Sequence, residues 1–344
     1  MTDCRPQAPY ADLEAMAADF ARAPSIAGIA GGDIAVTAMS SRGDLLMAFG
    51  DPLLDSVTLE QAQPVPTTIR NAVVAFADDR VCLVLGPHGA AFVPHRLDGV
   101  GYWPTSLVPI DDGSIAMFLQ RVAEVGEGDF INLGPAIAEV QTTDDGLPYV
   151  EDVSDLGVDD SSRKRIGWGA ASWRAGDGYV YIYGTANPER DLVFGWSLHV
   201  ARTTPDRLFD IGSWEYWTGS GWSADESSAT AVIDAVGGVD QTLSVFARDD
   251  SWYAVSKRDG YLGRDVVLWT SPAPTGPFAP STVLASRPSQ PEAGIFAYAA
   301  LAHPALFPEP ETMVISVSRN ATDPDAITAD PTLYRPEFFR VPLP

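Results

Sequence analysis

The chain has 344 residues, 46 of them acidic against 22 basic, for a formal net charge of −24. Such a surface repels phosphate backbones and anionic lipid, so nucleic acid and membranes are excluded as partners, whereas neutral polymers, sugars above all, meet no such penalty. A hydrophobic content of 46% with 10% aromatics is globular, and 30 glycines and 28 prolines without a Gly-X-Y period mean many turns.

The first residues, Met1-Thr2-Asp3-Cys4-Arg5-Pro6, lack the basic start and apolar core of a signal peptide. A secreted location is expected if a leader has been removed, and a cytoplasmic one otherwise. No run of about 20 apolar residues occurs to span a bilayer. Cys4 and Cys82 stand far apart, in neither metal nor redox spacing, and read as two free thiols. Residues 10 to 23 carry Leu13, Met16, Ala17 and Phe20 at helical spacing, which predicts a short amphipathic helix.

Next come two short apolar arms, Gly31 to Met39 and Leu45 to Asp51, around the polar turn Ser40-Ser41-Arg42-Gly43-Asp44. That is a β-hairpin signal. Asp33 and Asp51 are equidistant from Arg42, so symmetric pairing puts them opposite each other on one face of the sheet. Opposed like charges destabilise a sheet, and two carboxylates kept together point to general acid/base chemistry, glycoside hydrolysis first. Ordinary turn chemistry at Asp51-Pro52 is the plain alternative.

Beyond the hairpin, short period-2 runs predict strands at Thr68–Ala75, Val81–Leu85, Ile115–Val122, Tyr179–Tyr183, Trp196–Ala201, Leu243–Ala247, Tyr253–Ser256, Val266–Thr270, Met313–Ser318 and Phe338–Val341. No long helices alternate with them, which disfavours a doubly wound α/β fold. Turn-rich lead-ins recur near residues 30, 100, 166, 240 and 295, and five such units fit an all-β, five-bladed β-propeller with a short N-terminal helix. The expected division is a helical lead-in over 1–29 and a propeller catalytic domain over 30–344. Two β-domains split at the acidic stretch between Asp144 and Arg165 are the alternative.

In a propeller the site sits at one mouth of the central channel, so polar and aromatic residues in the five lead-ins are the candidates. These are Asp33, Asp51, Arg70 and Asn71; Trp103, within Tyr102-Trp103-Pro104; Trp168; Ser244; and Tyr298, His303 and Asn320. A sugar's C–H face packs on an aromatic ring, and Trp also carries a donor. Small residues around Trp168 allow close backbone approach to a ligand or to a neighbouring blade. The cluster Trp214-Glu215-Tyr216-Trp217 reads as structural, with Glu215 a candidate third acid. Walker, dinucleotide, His-Glu-x-x-His and Gly-x-Ser-x-Gly motifs are missing from the sequence. No metal cofactor is predicted, although a structural calcium ion fits oxygen ligands that leave no compact signature.

Gly32-Asp33-Ile34-Ala35, Phe49-Gly50-Asp51, Ile69-Arg70-Asn71, Tyr102-Trp103-Pro104, Trp168-Gly169-Ala170-Ala171, Tyr181-Ile182-Tyr183-Gly184, Val200-Ala201-Arg202, Trp214-Glu215-Tyr216-Trp217 and Tyr298-Ala299-Ala300 through His303-Pro304 occur in that order. From about residue 30 to the C-terminus this pattern resembles glycoside hydrolase family 183, a five-bladed propeller family formerly catalogued as a domain of unknown function. The resemblance implies an endo-D-arabinanase of cell-wall carbohydrate metabolism, cutting α-D-arabinofuranosyl linkages in mycobacterial arabinogalactan and lipoarabinomannan without an organic cofactor. Asp33 and Asp51 are then the catalytic pair. Trp103, Trp168, Tyr298 and His303 line the cleft, with Arg70, Asn71, Ser244 and Asn320 as polar contacts. Carboxyl groups about 5 to 5.5 Å apart imply retention and about 6.5 to 9.5 Å inversion, and directly opposed hairpin partners tilt towards retention. A glycan-binding propeller without catalysis, and a glycosidase of the same fold acting on L-arabinan or fructan, are the rival readings.

Overall fold

The computed structural model describes residues 1–7, 10–56, 58, 69–77, 79–110, 113–126 and 128–343. Thr68, at the start of one expected strand, lies outside them. Strand β1 is Thr2–Pro6, helix α1 Leu13–Arg22, β2 Ile29–Met39 and β3 Leu45–Leu54. β2 and β3 form the expected hairpin. Ser40 closes its turn: its hydroxyl accepts from the Arg42 and Asp44 N–H groups, and its own N–H donates to the Asp44 carbonyl at 2.8 Å. From Met39↔Leu45 to Val36↔Ala48 the register is the symmetric one. Ile34 and Ala35 then add one extra residue to β2, a bulge, and the register slips. Asp33 therefore faces Gly50 rather than Asp51, which corrects the direct opposition and removes its argument for retention.

β4 (Asn71–Ala77) and β5 (Arg80–Val84) complete the first sheet, in the order β1-β5-β4-β3-β2. The second holds β6 (Gly101–Pro109), β7 (Ile115–Gly126), β8 (Asp129–Thr142) and β9 (Pro148–Asp155). The third holds β10 (Gly167–Arg174), β11 (Val180–Ala186), β12 (Ser197–Thr203), β13 (Glu215–Trp217) and β14 (Trp222–Ser223). β15 (Ser244–Arg248), β16 (Ser251–Lys257), β17 (Asp265–Ser271) and β18 (Ala279–Ser286) make the fourth. β19 (Ile295–His303), β20 (Thr312–Ala321) and β21 (Glu337–Pro342) make the fifth. All are antiparallel, each a meander apart from β1 on the edge of the first, and the inner strands β2, β6, β10, β15 and β19 touch in a closed ring. The protein is a five-bladed β-propeller. The acidic stretch near Asp144 is no linker, because it forms the β8–β9 turn and β9 itself, inside the second blade.

The last blade is built wholly from the C-terminal end of the chain, so side chains, not a shared strand, close the ring. His303 bridges Thr37 of β2 (Nδ1, 2.8 Å) and Ser316 of β20 (Nε2, 2.8 Å), and the Ser318 hydroxyl accepts from the Ile34 N–H at 3.0 Å. Other blades are stitched likewise. Asn71 donates to the Val93 and Tyr102 carbonyls, Thr105 and Ser106 donate to the Gly169 carbonyl, and Ser244 both donates to and accepts from the backbone of Ala302. A Cβ at Gly169 (φ +89°) would collide with the Phe118 ring, so the small residue beside Trp168 serves the neighbouring blade.

α1 follows from its pattern. Asp12 caps it, accepting from the Ala15 N–H at 2.8 Å, and Leu13, Met16 and Phe20 are buried against the first and last blades. Phe20 meets Phe338 edge-on at 4.8 Å. Each such buried side chain contributes about 1.5–3 kcal/mol. Buried Arg335 donates to the carbonyls of Phe20, Ala23, Pro24 and Ala30, so the segment before β21 is fastened to the end of the helix.

The lead-in is not purely helical, because β1 adds to the outer edge of the first blade. There Cys4 falls opposite Cys82 with a Cα–Cα separation of 4.0 Å, and the two form a disulfide, correcting the reading of free thiols. The pairing depends on β1, which the sequence pattern did not announce. The bond closes a loop across 78 positions, and replacing both cysteines by serine is expected to lower stability by about 2–4 kcal/mol. Denaturant midpoints of the variant and the oxidised parent measure this.

Candidate active site

At one mouth of the channel lies a cleft of about 470 Å³. Asp33, Asp51, Tyr298, Asn320 and Tyr334 reach into it. Trp103 and Phe130, edge-on at 5.5 Å, form one wall of the second blade. Tyr261 and Phe296, with ring centroids 6.4 Å apart, form another from the fourth and fifth.

Asp33 is placed by the β2 bulge. Its carboxylate packs over Gly50, where any Cβ would collide with Oδ1. Tyr298 donates to Asp33 Oδ2 at 2.5 Å, and the Tyr334 hydroxyl lies close enough to favour the ionised form as well. Burial, and then the charge of Asp51, push the Asp33 pKa up to about 7 against these hydroxyls. Asp51 is also raised by burial, but Arg70 opposes that shift with an ion pair at 3.1 Å. Arg70 in turn pairs with Glu124 at 2.7 Å and stacks on Phe130 at 4.4 Å, which fixes the guanidinium behind Asp51. The Trp103 indole N–H lies close enough to Asp51 to favour its ionised form, yet has no hydrogen-bond partner among the described residues. The Asn320 amide lies near the Tyr298 hydroxyl, while its own Oδ1 is buried and unpartnered among the described residues. Two buried polar atoms at the cleft are thus left open to a ligand.

The backbone here is strained. Ile34 (φ 64°) and Ala35 (φ 52°) adjoin Asp33, Asp51 itself has φ 37°, and Ala299 (φ 46°) adjoins Tyr298. Left-handed conformations of non-glycine residues cost about 1–3 kcal/mol each and gather where geometry serves function. Buried side chains hold the strained segments. Ser318 accepts from Ile34, and Asp240 Oδ2 accepts from the Ala299 N–H at 3.1 Å. Fully buried Lys257 donates to the Ala297 carbonyl at 2.5 Å, so an acid and a base grip the chain on both sides of Tyr298. Burial lowers the Lys257 pKa to about 8 and raises that of Asp240.

The structure therefore gathers Asp33, Asp51, Trp103, Tyr298 and Asn320 at the cleft, with Arg70 behind. The other candidates lie elsewhere. Asn71, Ser244 and His303 are the blade stitches described above. His303 ends the strand that Tyr298 enters, and burial lowers its pKa to about 3, leaving a neutral ring with one donor and one acceptor. Trp168 is buried between the second and third blades, where it packs on Tyr216 and its indole donates to Glu226 at 2.9 Å. Glu215 pairs with Arg202 on the outer strand β13, away from the cleft. Buried Trp214 packs on Phe118 of the second blade, a structural contact as expected. Tyr334, Asp240, Phe130 and Tyr261 were not anticipated, although Asp240 stands at the head of the fourth unit. Among the described residues no three His, Cys, Asp or Glu side chains converge as a metal site, and no helix is long and apolar enough to cross a membrane.

The family described as "Domain of unknown function (DUF5005)" matches residues 20–342. No curated protein matches the sequence. Among solved structures, a protein of Bacteroides ovatus ATCC 8483 described as a "putative hydrolase" superposes with a TM-score of 0.72 at 19% identity, over 99% of this chain and 93% of that one. A GH43_1 enzyme of Xanthomonas citri gives 0.53 at 15% identity over 95% and 92% of the two chains. CoXyl43, a GH43 β-xylosidase/α-arabinofuranosidase from a compost microbial metagenome, gives 0.52 at 12% over 93% and 92%. At these identities the likeness is one of fold.

Asp33 binds its proton more tightly folded than unfolded, where a pKa near about 3.9 applies. Its contribution to stability is therefore complete below about pH 4 and declines as the pH rises to about 7. Asp33→Asn, which does not titrate, is expected to melt higher than the parent at pH 8, with the gap closing by pH 4. Melting curves across that range check the sign.

Proposed function

The chain belongs to the DUF5005 family, and from that premise we propose that it is an endo-acting glycoside hydrolase whose substrate is a D-arabinan. The observation that carries the reading is the acid pair: Asp33 with its pKa near 7, beside an Asp51 ion-paired to Arg70. Two carboxyl groups whose surroundings separate their protonation are what glycosidic cleavage requires. Protonated Asp33 gives its proton to the departing glycosidic oxygen as the C–O bond breaks. The Asp51 carboxylate faces the positive charge that develops at the anomeric carbon, and water supplies the hydroxyl of the new reducing end, its released proton passing to the carboxylate pair. Tyr298 and Tyr334 orient Asp33, and Arg70 orients Asp51.

Trp103, Phe130, Tyr261 and Phe296 suit the C–H faces of sugar rings, while Trp103 Nε1 and Asn320 Oδ1 await hydroxyl partners. The two carboxyl groups need no organic cofactor for this chemistry. Neighbours of the same fold solved with xylose and xylotriose support a carbohydrate in the cleft. The D-arabinan choice rests on the ordered motifs that resemble family 183.

Incubation with mycobacterial arabinogalactan is expected to release a ladder of short D-arabino-oligosaccharides. Asp33→Asn and Asp51→Asn are each expected to lower kcat by about 10²–10⁴-fold while keeping the parent's circular dichroism. Cleavage of L-arabinan or fructan instead would replace the substrate and keep the mechanism. Full activity in either variant would remove the acid pair, and binding without cleavage of any glycan would make the protein a sugar-binding module.

A further inference from the structure

The cleft is not closed at its edge. A second depression of about 530 Å³ lies over the third and fourth blades, and Asp240, Gln241 and Tyr261 line both. The β11–β12 loop forms one wall of this trough with Leu192, Val193 and Phe194, and Arg163 and Arg190 also line it.

That loop is costly to hold. Glu189 (φ 50°) and Leu192 (φ 64°) are left-handed. Buried Asn187 pins it: its side chain donates to the Gly195 carbonyl at 2.9 Å and accepts from the Glu189 N–H at 2.8 Å. The Asn187 N–H donates to the Arg163 carbonyl at 2.7 Å, which ties the loop to the segment leading into the third blade. What the pinned loop presents is apolar, since Leu192 is 87% and Phe194 51% exposed. Neither side chain belongs to the core clusters of the fold, so core packing does not account for the strain.

We infer that this trough is a distal subsite, holding sugar residues of the polymer that flank the bond being cut. The inference rests on the reading of the cleft as a glycosidase site and adds where the rest of the chain lies. Apolar Leu192, Phe194 and Tyr261 offer surfaces to sugar faces, and Arg163, Arg190 and Gln241 offer donors to ring-edge hydroxyls. A neutral glycan suits the trough because Glu189, Asp191 and Asp240 stand against Arg163 and Arg190 in its lining, which leaves no excess of positive charge to hold an anion.

The test is binding by the Asp33→Asn protein, with and without Leu192→Ala and Phe194→Ala together. Native gels containing mycobacterial D-arabinan, L-arabinan or levan measure retention, and a disaccharide of the retained polymer measures occupancy of the cleft alone. Because both replaced side chains are exposed, an unchanged melting temperature is expected. The subsite predicts polymer affinity about tenfold lower in the double replacement, disaccharide affinity unchanged, and retention restored by Phe194→Trp. Retention of L-arabinan or levan alone would refute the D-arabinan reading while the trough is judged on that polymer. Polymer affinity that ignores the replacement, equal loss for polymer and disaccharide, or retention of none of the three polymers overturns the subsite.

Discussion

A carboxyl group held where ionisation is expensive is the constraint on which this structure turns. Asp33 is half-buried at the cleft, next to a second acid and under the Tyr298 hydroxyl. Nothing about an ordinary hairpin would put it there. The extra residue at Ile34–Ala35 swings Asp33 off the register that would face it to Asp51, and the bare Gly50 makes room for its oxygens. The bulge is held by Ser318 from the last blade, so the placement of the acid and the closure of the ring are one event.

The supports of that site reach far through the fold. Arg335 takes the carbonyls at the end of α1 and so fixes the segment carrying Tyr334. Asp240 and Lys257 fix the strained turn of chain carrying Tyr298. Arg70, sandwiched between Phe130 and two carboxylates, fixes Asp51. Residues from the first, second, fourth and fifth blades converge on the cleft in this way. A rigid scaffold with strained, separately braced residues at its cleft is the compromise between stability and activity that the proposed function calls for.

How far the sequence could be read follows from the same physics. The five unit starts were legible because each inner strand is a short apolar run after a turn, and the observed strands begin close to residues 30, 100, 166, 240 and 295. The helix was legible from Leu13, Met16 and Phe20. The acid pair was legible from its place in a hairpin, but its register was not, since a bulge of Ile and Ala carries no turn residue. Asn71, Ser244 and His303 were misplaced for one reason. The blades need polar side chains twice, at the mouth for ligands and along the strands to stitch one blade to the next, and composition does not separate the two. On β19 depth along the strand does: Tyr298 lies towards the cleft, and His303 leaves the strand at the far end. The disulfide escaped because it requires β1, and Asp240, Tyr334 and Phe130 escaped because they stand in connections without a periodic signal.

The account stands on the protonation of Asp33. Its side-chain carboxyl signal, followed by ¹³C NMR from pH 3 to 9 in the parent and in Asp51→Asn, tests it most directly. The structure predicts a midpoint near 7 in the parent, moved downward but not to the ordinary value when the Asp51 charge is removed, because burial remains. A midpoint near about 4 in the parent, or one that ignores Asp51→Asn, would contradict it.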